Sequence, residues 1–287
     1  HNPNLEFNMT IFTLLTNPMA ITGESPVWDV ERNCLWWIDI QGQRLLQTML
    51  DGDTQAMPLP FQPGLVVLGE SGRLVLGLED GLWALDPEQK HWERLSNTEA
   101  DRPTVRINDG KADPSGRLWF GSMDMTGTGQ AAGRLYCRDI DGTIRTIRND
   151  VKVPNAITPL SDGLGIWFID TPTRALEILH LDLDGSVTTS ETRIIFPQGT
   201  HPDGACLDSD GILWVAVIGP GEIWCISPNG DITAKHPLPI RRPTMPMLGG
   251  PNGQNLFVTN QRRFLTHAEL EAQPEAGGLH WANVAKK

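Results

Sequence analysis

The chain has 287 residues, with 35 acidic and 23 basic side chains and a net charge of −12. An acidic chain without Lys/Arg clusters excludes nucleic acid and anionic membrane surfaces as partners. No apolar run approaches the roughly 20 residues of a spanning helix, and the opening HNPNLEFNMT lacks a basic leader segment.

In chain order, Met9 reads as the natural start, with residues 1–8 a leader or added remnant and 9–287 one domain. A first strand is expected near Thr10–Leu15. Six apolar strand centres then recur at Trp36, Val75, Trp119, Trp167, Trp214 and Phe257, spaced 39, 44, 48, 47 and 43 residues apart. Four short strands with their turns need about this length, which is the size of a propeller blade. A second strand follows in each repeat, as in GLWALD from Gly81 and GRLYCR from Gly133. Asp141-Gly142, Asp184-Gly185, Asp210-Gly211 and Asn229-Gly230 mark tight hairpin turns. The helical exception is Thr266-His-Ala-Glu269, a capping box that opens a short helix over 267–272. The fold expected is all-β: a six-bladed β-propeller with four-stranded blades. The N-terminal strand should close the ring by joining the last blade beside Leu279–Val284. The 10 Trp sit mostly in apolar runs and read as core, and Cys34, Cys137, Cys206 and Cys225 read as buried free thiols of a reducing, cytoplasmic compartment.

Eleven or twelve residues before four of the strand centres stand Glu24, Asn108, Asn155 and Asp203. The matching places in the other two repeats are Pro63-Gly64 and Thr244-Met245. Singly, each polar residue is an ordinary turn residue. In a propeller, however, the first strand of each blade lines the central channel, so a shared register gathers all four on one axis. Two like charges brought together there need compensation. One divalent cation supplies it: Glu24 and Asp203 balance its charge and the Asn155 amide adds a neutral oxygen. All-oxygen donors suit Ca, Mg or Mn better than structural Zn.

The runs GESPVWD, RINDGKADPSGRLWFG, IDTPTRAL, HPDGACLDSDGILWVAV and QPEAGGL resemble the SMP-30/gluconolactonase/regucalcin family over about Gly23–Gly278. The resemblance implies a metal-dependent lactonase, with Zn and Fe also open as the cation. It assigns Glu24, Asn155 and Asp203 to the metal, and Arg106 and Asn108 to substrate. Regucalcin-type members carry an acidic substrate contact after a G-T-M segment. Here Asp124 lies close by in GSMDMT, although Thr126 aligns with that place. The run around Asp170 is more like bacterial sugar lactonases.

The reaction expected is hydrolysis of a sugar-acid lactone by a monomer or small homo-oligomer. The cation polarises the carbonyl, and Asp203, or hydroxide on the cation, activates water. Arg106 and Asn108 would bond substrate oxygens, and His201 would face substrate or pass protons. The alternatives are another lactone or ester hydrolase on the same metal, and a non-catalytic calcium-binding propeller. The D-x-D-G runs at Asp182 and Asp208 lack the Glu and flanking helices of an EF-hand. The glycine-rich run 127–133 reads as a flexible loop and a lid over the channel mouth.

Overall fold

The computed structural model describes residues 10–284. The expected start at Met9 and the remnant over 1–8 lie outside the described residues. Six four-stranded antiparallel sheets form a six-bladed β-propeller. Blade 1 comprises Gly23–Asp29, Cys34–Asp39, Arg44–Met49 and Thr54–Pro58. Blade 2 comprises Leu65–Leu68, Leu74–Leu78, Gly81–Asp86 and His91–Ser96. Blade 3 comprises Val105–Ala112, Leu118–Asp124, Gly133–Arg138 and Ile144–Val151. Blade 4 comprises Pro154–Pro159, Gly165–Asp170, Ala175–Leu181 and Val187–Ile195. Blade 5 comprises His201–Leu207, Leu213–Ile218, Glu222–Ile226 and Ile232–Pro237. In blade 6, Pro243–Gly249, Asn255–Asn260 and Leu279–Asn283 are completed by Thr13–Thr16, which pairs antiparallel with Leu279–Asn283. The ring therefore closes as expected, through a non-covalent pairing of the two ends of the chain.

The core is distributed rather than central. Six apolar clusters occupy the six gaps between neighbouring blades. The cluster between blades 6 and 1 packs Leu15 of the closing strand with Trp28, Trp37, Phe257 and Leu279. Each blade thus buries both faces, which is why its second strand is apolar without alternation, as in CLWWID. All four cysteines are free and buried. The helix spans His267–Ala272, and both arms of its capping box form: Glu269 N–H donates to Thr266 Oγ1 at 3.3 Å, and Thr266 N–H donates to Glu269 Oε2 at 2.8 Å.

First strands crowd around the axis, and glycine permits the closest approaches. A Cβ on Gly64 would lie 1.8 Å from Ile107 O, and one on Gly204 would lie 2.5 Å from Met245 Cγ. These two positions set the spacing of blades 2 and 3 and of blades 5 and 6.

One device repeats at the turn between the first and second strands. The Trp36, Trp119 and Trp214 indoles each donate at 3.0 Å to the carboxylates of Asp29, Asp113 and Asp208. The same carboxylates accept turn N–H groups, as Asp113 does from Ser115 and Arg117. One acid therefore fixes both the hairpin and the core indole. In blade 4, Leu160 occupies the equivalent turn place, and the buried Trp167 Nε1 has no partner. Asp113→Ala leaves the buried Trp119 indole and two part-buried turn N–H groups unpaired and should cost about 2–4 kcal/mol. Urea unfolding checks this, and a midpoint equal to wild type would refute it.

Candidate metal centre and substrate cavity

The first strands of blades 1, 3, 4 and 5 carry irregularities at one level. Register shifts fall between Glu24 and Val27, Ile107 and Gly110, Asn155 and Thr158, and Pro202 and Ala205. Blade 6 shifts between Pro243 and Met245, while blade 2 keeps a regular ladder. A bulge re-aims the side chains beside it. Ser25 and Ala156, next to Glu24 and Asn155, both sit at φ 50, a left-handed conformation that non-glycine residues adopt sparingly. The backbone is bent where the polar residues stand.

Those residues meet in one cavity of about 270 Å³, lined by Glu24, Arg106, Asn108, Asp124, Asn155 and Asp203. His201 is exposed and does not line it. In an unbroken strand, residues two apart share a face. The shift after Pro202 breaks that alternation and separates His201 from Asp203. Asp124 lines the wall, but its carboxylate accepts the Thr126 hydroxyl at 2.7 Å and the Thr128 hydroxyl at 3.0 Å. Gly127, which opens the glycine-rich loop, also reaches the wall.

A chain of hydrogen bonds runs around the ring. Arg106 Nη1 donates to Asn108 Oδ1 at 3.0 Å, and Asn108 Nδ2 donates to Asn155 Oδ1 at 3.2 Å. Asn155 Nδ2 donates to the Thr171 hydroxyl at 2.8 Å, and that hydroxyl donates to Pro202 O at 2.8 Å. Both amides are thereby oriented, with Asn155 Oδ1 placed as an acceptor. Thr171 was not singled out by the sequence reading, although it lies in the quoted run IDTPTRAL.

Glu24 and Asp203 are close enough to share a hydrogen bond. Burial, then the charges of Asp203 and Asp109, push the Glu24 carboxyl well above its ordinary range. Burial, then Asp109, pushes Asp203 up to about 7, against the opposing pull of Glu24 and Arg242. Asp109 accepts from Gly110 N–H at 2.7 Å and Ile157 N–H at 3.2 Å. Lys111 is the nearby counter-charge and donates to Ala205 O at 2.5 Å, which ties blade 3 to blade 5 across the channel. Sequence reasoning missed Asp109 and Lys111 because Asn-Asp-Gly reads as a turn.

Among the described residues, no group of three His, Cys, Asp or Glu side chains is placed to hold a metal ion. The candidate set has a different make-up: two carboxylates and one amide oxygen. Two crowded acids, Glu24 buried and Asp203 partly buried, beside an amide oxygen held in place by its neighbours, fit a hard divalent cation. The fit rests on the donor chemistry and on the charge left uncompensated on the axis.

That pair makes stability pH-dependent when no cation is added. A carboxyl with a raised folded pKa contributes stability that is complete below its ordinary value of about 4. The contribution is lost as pH rises through about 7 for Asp203. In chelator, unfolding free energy should therefore fall from pH 4.5 to 8, and Asp203→Asn should flatten the fall. Denaturant titrations across that range would refute the assignment if wild type and variant keep parallel profiles.

Comparison with known proteins bears on the family of the whole chain. The SMP-30/Gluconolactonase/LRE-like region matches residues 22–262. A 6-deoxy-6-sulfogluconolactonase of Pseudomonas putida is 32% identical, over 94% of this chain and 93% of its own length. Regucalcin of Xenopus laevis is 28% identical, over 90% and 89%. The crystal structure of a regucalcin from Agrobacterium tumefaciens, described as a calcium-binding protein, superposes with a TM-score of 0.91 at 27% identity, over 96% of this chain and 94% of its own. The chain belongs to the SMP-30/gluconolactonase/LRE-like family.

Proposed function

We propose that this protein hydrolyses an aldonolactone to its aldonic acid, using one divalent cation held by Glu24, Asn155 and Asp203. The observation that carries the reading is the meeting of two pKa-raised carboxyls and an oriented amide in a cavity that also presents Arg106 and Asn108. The relatives' names point the same way, since one is a sugar-acid lactonase. When bound, the cation supplies positive charge that polarises the lactone carbonyl and offsets the negative charge of the tetrahedral stage. Calcium is the favoured ion, given the all-oxygen donors and a relative described as calcium-binding.

The protein's own residues do the rest. Asp203 accepts the proton of the attacking water as its oxygen bonds to the carbonyl carbon. The bond from that carbon to the ring oxygen then breaks, and the proton passes to the departing oxygen, which becomes a hydroxyl. Burial raises Asp203 and a bound cation opposes that rise, so the proton is taken by the carboxylate oxygen that does not hold the cation. Arg106, lowered to about 10 by burial and then by Arg263, still keeps its proton and acts as a donor. Together with Asn108 it orients the sugar oxygens, and Asp124 adds a wall of fixed negative charge. The cavity has room for one sugar ring. The four buried free thiols fit a reducing compartment, the cytoplasm, for this reaction. No helix among the described residues is long and apolar enough to cross a membrane.

Asp203→Asn and Glu24→Gln should lower kcat/KM by roughly 10²–10⁴-fold while the proteins stay folded. Acid release from a panel of aldonolactones, with and without chelator, measures this. Full activity in either variant would overturn the residue assignment. Calcium binding without turnover of any lactone would instead make the propeller a binding protein.

A further inference from the structure

Resting on the lactonase reading, we propose that the substrate is an anionic lactone, whose fixed negative charge is received by Arg263 on the wall of the cavity that Gln41 also lines. Arg263 lines the same cavity as Glu24 and Asp203 and forms no ion pair among the described residues. Its guanidinium lies 4.6 Å from the centre of the Phe264 ring. Arg242 lies 5.2 Å from the same ring, and its buried Nε has no hydrogen-bond partner. Phe264, which also lines the cavity, sits at φ 69, an unusual conformation for a bulky side chain. Arg262 and Arg263 N–H groups both donate to Ile21 O, which anchors the segment to the entrance of blade 1. This rim is held in place, and it presents cations.

Arg242 on this rim faces the charges of Asp203 and Glu269, whereas Arg263 pairs with no carboxylate among the described residues. Glu24 and Asp203 are assigned to the cation, and Asp109 faces Lys111. The Asp124 carboxylate keeps its charge but is turned onto the Thr126 and Thr128 hydroxyls, Glu79 accepts the Gln62 N–H at 3.0 Å, and Glu269 caps the helix through Thr266. Arg106 commits both Nη1 donors to Asn108 and Ile107 O and one Nη2 donor to Met123, and keeps the others for the sugar oxygens. The Gln41 side chain also lines the cavity, and its buried Oε1 has no donor. A ligand that satisfies both features offers a hydroxyl to Gln41 and a carboxylate, sulfonate or phosphate to Arg263.

The test compares D-glucono-1,5-lactone with its 6-carboxylate, 6-sulfonate and 6-phosphate counterparts in the presence of calcium. Calorimetry on the corresponding open-chain aldonates reads binding without turnover. At least one charged lactone should exceed the neutral one about tenfold in kcat/KM, and the three arms identify the anion. Arg263→Met should shrink that preference by about tenfold, to near parity, as loss of one charge-assisted contact predicts, and Arg263→Lys should recover part of it. Equal or greater kcat/KM on the neutral lactone in wild type, or equal losses on both lactones in Arg263→Met, overturns the anion site and leaves the lactonase standing. If no lactone turns over, tighter Arg263-dependent binding of a charged aldonate than of gluconate upholds the anion site alone. Equal binding overturns it as well.

Discussion

Two carboxyl groups held together on the axis of a ring, one buried and one partly buried, are the constraint around which the molecule is arranged. Glu24 and Asp203 come from blades 1 and 5, so no local element can bring them together. Their mutual repulsion in a buried place opposes folding unless a proton or a cation is present. The ring must hold them there against that repulsion. It does so with six inter-blade apolar clusters and a closing strand that joins the two ends of the chain.

Asp109 and Lys111 form a second charged pair close to the first. Burial raises Asp109 and lowers Lys111, and each moderates the other. The Lys111 amine reaches Ala205 O and so ties blade 3 to blade 5 across the channel. Asp109 adds its negative charge to the field felt by both axial acids. The basicity of Asp203 is therefore a property of three blades rather than of one residue.

Bulges reconcile a regular sheet with this site. A pleated strand presents alternate side chains to the axis, whereas the site needs particular ones. The shifts in blades 1, 3, 4 and 5 occur where the polar residues stand, and blade 2, which contributes none of the acids or amides, keeps its ladder. Positive φ at Ser25 and Ala156 marks the local strain. Packing of the neighbouring blades over-determines the conformation and holds it.

The blade count, the strand centres, the capped helix and the closing strand were all legible in the chain, because repeat spacing and turn chemistry are local. The common register of Glu24, Asn108, Asn155 and Asp203 was legible too, since equivalent places in repeats occupy equivalent places around a ring. His201 could not be placed this way, because the bulge that turns it outward leaves no trace in periodicity. The same is true of Thr171, Asp109 and Lys111, whose parts arise from partners on other blades. The paired rim of Arg242 and Arg263 on Phe264 is likewise invisible in sequence, where these residues lie about twenty apart. Local pattern decided which elements form. Only the closed ring decided which side chains share a low-dielectric space, and therefore which of them hold a charge or a proton.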